Sequence, residues 1–80
     1  MLKLRNIKMS GNMIEADYFP ESDDRSAHVS LDTQTGSETK EIIEEYGGTY
    51  ARMALSGLRR VLKDIREGKT VPTERVVMWY

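Results

Sequence analysis

The stretch TYARMALSGLRRVLKDIREG, residues 49–68, decides how this chain folds. At 100° per residue, Tyr50, Ala51, Ala54, Leu55, Leu58, Val61, Leu62 and Ile65 fall within an arc of about 140°. One apolar face of that width belongs to a helix laid on a sheet. Gly47-Gly48 breaks the chain before it, Thr49 is placed to cap it, and Gly68 with Pro72 beyond ends it. The expected helix therefore covers residues 49–67. Gly57 stands beside the apolar arc, where glycine costs about 1 kcal/mol relative to alanine. Its expected use is a close approach of the helix to a strand.

Upstream the period changes from 3.6 to 2. Leu2-Lys3-Leu4-Arg5 and Ile14-Glu15-Ala16-Asp17-Tyr18 alternate, the mark of strands with one buried face. Ser10-Gly11-Asn12 between them is a turn signal, so residues 2–9 and 13–19 form a hairpin. Leu2 and Leu4 are out of phase with Ile7 and Met9, which predicts a bulge near Asn6. After a loop from Pro20 to Asp24, His28-Val29-Ser30-Leu31-Asp32 alternates again. Thr33-Gln34-Thr35-Gly36 suits a type I turn closed by a left-handed glycine. A strand over 27–32 is therefore expected to pair with a fourth over 38–44, from Glu38 to Glu44, although that last segment also holds helix-forming residues.

Downstream, Val71-Pro72 keeps the chain extended after the helix. The last six residues, RVVMWY at 75–80, are rich in β-branched and aromatic types. Four antiparallel strands return the chain to the sheet end where it began. A helix of about 18 residues is about 27 Å long, and the diagonal of a five-strand sheet is about 28 Å. A helix across that diagonal delivers the last strand to the far edge, beside the first. The expected fold is α+β: a single domain over residues 1–80, with one antiparallel β-sheet of about five strands in the order 5-1-2-3-4. One helix packs across one face, giving the topology ββββαβ.

Composition sets limits on this domain. An 80-residue chain buries only about 60% of its unfolded surface, so its core is thin. Leu, Ile, Val and Phe supply 17 residues, just above the roughly 20% level below which chains stay disordered. The net charge of −1 does not oppose collapse. With no Cys there is no disulfide, thiolate metal site or thiol nucleophile. A staple-free domain of this size points to the cytoplasm. No apolar run approaches the roughly 20 residues of a membrane span, so no membrane association is expected.

The side chains of chemistry are sparse. His28 is the single imidazole and lies on the strand face opposite Val29 and Leu31, the solvent side. Asp23-Asp24 and Glu44-Glu45 are adjacent pairs that point apart, whereas paired-carboxylate hydrolysis needs facing groups about 5–9 Å apart. Gly47-Gly48 lacks the Lys and Ser/Thr of a phosphate-binding loop. No catalytic set, cofactor motif or metal-ligand spacing is present, and the chain reads as a non-enzyme.

Two surfaces remain as binding candidates. Arg52, Arg59, Lys63 and Arg66 fall within about 60° of the helix circumference, beside the apolar arc and with no acid among them. Such a stripe is the footprint of phosphate contacts or of an acidic partner. Residues 12–45, however, hold ten acids against Arg25 and Lys40, and the isoelectric point is about 5.8. Nucleic-acid affinity is chiefly electrostatic, and aromatics interleaved with the bases are lacking. The second candidate is the sheet face that the single helix leaves open. The last strand is apolar on both sides, with Val76, Met78 and Tyr80 on one and Val77 and Trp79 on the other. The leading expectation is a non-catalytic protein-interaction or accessory module. It would use the open face around Trp79 and Val77, with a protein partner or a second copy. The alternative is a nucleic-acid-binding module using the helix stripe.

Overall fold

The computed structural model describes residues 2–20, 25–43 and 47–77. In chain order these form β1 (Leu2–Ser10), β2 (Met13–Pro20), β3 (Ala27–Asp32), β4 (Glu38–Lys40), α1 (Gly48–Arg66) and β5 (Glu74–Val77). One antiparallel sheet runs β4-β3-β2-β1-β5, with α1 packed on one face. This is the expected fold and strand order, the last strand lying beside the first at the edge.

The phase change in β1 is a bulge. Arg5 pairs with Asp17 and Lys8 with Glu15, so Asn6 and Ile7 together face Ala16. Asn6 has φ 55°, a left-handed conformation that asparagine tolerates better than most residues. The extra residue returns Ile7 to the helix side, where it is buried with Leu2 and Leu4. The β3–β4 turn is closed by Gly36 at φ 77°. Asp32 Oδ1 fixes that turn by accepting from the backbone N–H groups of Gln34 at 2.8 Å and Thr35 at 3.1 Å.

One core fills the space between sheet and helix. Leu2, Leu4, Ile14, Ala16, Tyr18 and Val29 meet Ala51, Ala54, Leu55, Leu58 and Val61, all essentially inaccessible to water. Arg75, on the helix side of β5, donates to Asp64 Oδ2 of α1 at 3.0 Å. That guanidinium holds the Asp64 carboxyl below the ordinary carboxylate range. The helix closes as its glycine foretold: Gly68 at φ 91° gives its N–H to Ile65 O, and Lys69 N–H reaches Asp64 O. These two bonds make a Schellman motif.

Three expectations need correction. The fourth strand is three residues long and ends at Lys40. The Glu41 N–H still bonds His28 O, but the Tyr18 hydroxyl takes the Glu41 carbonyl at 2.7 Å. This turns the chain over the core side towards α1, with Ile43 packed against the core. Glu44, the end of the expected strand, lies outside the described residues. Thr49 is not the cap: Gly47 holds that position at φ 65°, with no side-chain bond, and its N–H goes to Ile43 O. The left-handed step there requires glycine, so backbone bonding starts the helix. Val77, expected on an open-face patch, is 6% exposed and belongs to the core. Its pairing with Leu2 puts it on the helix side, away from the open face. Trp79 lies outside the described residues.

Gly57 serves the close approach expected of it. A Cβ there would lie 2.7 Å from Val77 Cγ2 and 3.0 Å from Leu4 Cδ1. Valine is stiff at χ1, and the Val77 backbone is fixed in the ladder with Leu2. Relief therefore requires α1 or β5 to shift. Gly57→Ala should cost about 1–3 kcal/mol through overpacking, although propensity alone favours alanine by about 1 kcal/mol. Urea denaturation gives the sign, and a stabilised variant would show that the strand yields freely.

Candidate functional site

The open face of the sheet is built by alternation. Lys3, Arg5 and Lys8 project from β1, Glu15, Asp17 and Phe19 from β2, His28 and Ser30 from β3, and Glu74 and Val76 from β5. These side chains largely compensate one another. Arg5 lies 3.7 Å from Glu74, and Lys8 lies 3.5 Å from Glu15. The Arg5 guanidinium also sits 5.3 Å from the centre of the Phe19 ring. Val76, 48% exposed, pairs across the strands with Lys3, whose other neighbour is Phe19. One corner of the face is therefore apolar beneath a basic rim.

His28 sits at the centre of the polar part. Its Nδ1 is 3.0 Å from Asp17 Oδ1 and its Nε2 is 3.7 Å from Glu15 Oε1. An ionised carboxylate only accepts, so Nδ1–H is the donor to Asp17. The second Asp17 oxygen accepts from Asn6 Nδ2 at 2.8 Å. The bulge thus serves the face as well as the core, since it aims Asn6 across at Asp17. Hydrogen bonds from His28 and then Asn6 hold the Asp17 carboxyl below its ordinary value, against a smaller opposing effect of burial. Asn6, Ile7, Lys8, Glu15, Asp17 and His28 line a cavity of about 470 Å³.

Asp17 therefore fixes the orientation of the ring through Nδ1, while Nε2 lies 3.7 Å from Glu15 Oε1, beyond hydrogen-bond distance. Among the described residues, no group of three His, Cys, Asp or Glu side chains could hold a metal ion. The sequence placed His28 on the solvent side but missed its partners. The signal was the strand register: once the bulge and the 27–32 strand are fixed, Asp17 falls opposite His28.

The helix stripe divides in two. Arg52 is exposed on the first half of α1. Arg59, Lys63 and Arg66 instead line a groove between the second half of α1 and the β3–β4 turn. Its volume is about 330 Å³, and Leu31, Leu62 and Asp32 contribute to its walls. Arg59 is ion-paired with Glu38 of β4. Lys63 and Arg66 are exposed and have no carboxylate partner among the described residues. The groove's walls come from α1 and from the β3–β4 turn, so helical periodicity alone did not reveal it.

Among the described residues, no helix is long and apolar enough to cross a membrane. Comparison with protein-family models, with curated proteins and with solved structures finds no match to this chain.

Proposed function

We propose that this chain is a non-catalytic protein-interaction module that docks a partner on its open sheet face. The supporting observation is the charge pattern of that face: β1 presents Lys3, Arg5 and Lys8, and β2 beside it presents Glu15 and Asp17. A two-fold axis between these strands lays the basic column of one copy over the acidic column of another. The same operation sets Glu74 of β5 over His28 of β3. A second copy is therefore the partner whose charge fits. The intramolecular pairs already present do not prevent this, because exposed ion pairs are worth about 0–1 kcal/mol and exchange readily.

The face is small. A sheet roughly 19 Å wide and 20 Å long offers about 400 Å², half the roughly 800 Å² per partner of a stable interface. The self-association is accordingly weak, and it depends on salt because the pairs are exposed. Sedimentation equilibrium up to millimolar protein should show dimer at low salt and its loss at about 0.5 M. Lys3→Glu with Arg5→Glu should give a monomer at either salt. A native chain that stays monomeric at millimolar concentration and low salt would overturn this reading.

A further inference from the structure

We infer that the groove between α1 and the β3–β4 turn is a separate site, one that takes an acidic peptide segment carrying a bulky apolar side chain. Its two chemistries come from different elements. Arg59, Lys63 and Arg66 stand at steps of four and three along one flank of α1. They therefore form a row about 10 Å long. The floor beneath them is apolar. Leu62, 8% exposed, is the most accessible residue of the core, and Leu31 is 5% exposed. Both line the groove, so the core comes to the surface at this point.

The charge balance favours an anionic occupant. Arg59 is neutralised by Glu38, while Lys63 and Arg66 have no carboxylate partner among the described residues. Asp32, the acid on the facing wall, is held ionised by the backbone donors of Gln34 and Thr35, so three cations stand against Asp32 and Glu38 and the groove keeps a surplus of one positive charge. Cations in the last helical turn also complement the helix dipole. That accounts for the sign of Lys63 and Arg66, but not for the row reaching back to Arg59 or for the apolar floor beneath it.

The row fits carboxylates spaced along an extended peptide, where alternate residues repeat about every 6.6 Å. The floor accepts one leucine- or phenylalanine-sized side chain. A nucleic acid suits the groove less well. No aromatic side chain lines it for base stacking, and a sugar–phosphate chain would leave Leu31 and Leu62 without an apolar partner. This site lies on the helix side of the molecule, away from the open sheet face, and its occupation does not depend on self-association.

The probe is a synthetic peptide of about ten residues with Asp and Glu around a central Leu, titrated into isotopically labelled protein and followed by amide NMR. Shifts should concentrate in residues 59–66 and 31–36. Lys63→Glu with Arg66→Glu should weaken binding at least tenfold. Arg52→Glu, on the same stripe but outside the groove, should change it less than twofold. Replacing the central Leu of the peptide by Ser should weaken binding about fivefold or more, which a purely electrostatic contact would not show. All the substituted residues are exposed, so the variants keep the fold, and the same spectra verify this. Absence of groove shifts at millimolar peptide would overturn the proposal. So would an equal loss from Arg52→Glu, or tighter binding of a single-stranded oligonucleotide of equal charge at the same residues.

Discussion

Tyr18→Ala should cost about 3–5 kcal/mol, most of the stability of a domain this small, since roughly 0.05–0.15 kcal/mol per residue is typical. Among the described residues, Tyr18 is the largest fully buried side chain, set in the middle strand of the sheet under α1. Its truncation leaves a cavity that the flanking strands cannot fill without giving up their ladder. Tyr18→Phe separates the ring from its hydroxyl. That hydroxyl donates to the Glu41 carbonyl at 2.7 Å. Glu41 is itself exposed, so water can replace the lost donor and the cost should be about 1 kcal/mol. Urea denaturation gives both values. The phenylalanine variant should also speed exchange of the Glu41 amide, which bonds His28 O where β4 leaves the sheet. Unchanged exchange in that variant would mean the hydroxyl does not pin this segment.

This contact also marks where the sequence stopped being informative. The hairpin, the bulge at Asn6, the turn at Gly36, the helix and the far-edge strand all follow from local rules: alternation, phase, turn chemistry and length. Each rule draws on residues near one another in the chain. The end of β4 does not. It is set by a hydroxyl on β2, 23 positions away, and no periodicity within 38–44 carries that information. Thr49 illustrates the same limit at short range. A threonine before an apolar run satisfies the capping rule, yet the left-handed step at Gly47 had already started the helix one residue earlier.

The candidate surfaces divide along the same line. The row of Arg59, Lys63 and Arg66 was legible because helical spacing fixes it. Its neighbours Leu31 and Asp32 were not, because the β3–β4 turn is brought beside α1 only by the tertiary fold. Val77 was ambiguous in sequence because β5 is apolar on both sides. Its side was settled by register with Leu2 and by the missing Cβ of Gly57, which makes room for it. Gly57 was correctly read as a close approach, but to which strand required the three-dimensional order. The contact proves to be shared between β1 and β5.

Deleting residues 76–80 should abolish folding. β5 makes four ladder pairs with β1, and the deletion removes Leu2↔Val77 and Lys3↔Val76, leaving only those of Arg75 and Glu74. Leu2, 0% exposed, then lies at an unprotected sheet edge. The cleft beside Gly57 loses the side chain that fills it. Burial of Val77 alone contributes about 1.5–3 kcal/mol. Exposure of Leu2, the lost backbone pairs and the void under α1 add to this, and together they reach the total stability of a domain with so thin a core. Val77→Ala isolates the side chain from the strand: it should cost about 2 kcal/mol and leave a folded protein. The deletion should instead give a collapsed amide NMR spectrum without native dispersion. A deleted chain that keeps a native-like spectrum would show that β1 holds the sheet edge unaided and that α1 draws no support from β5.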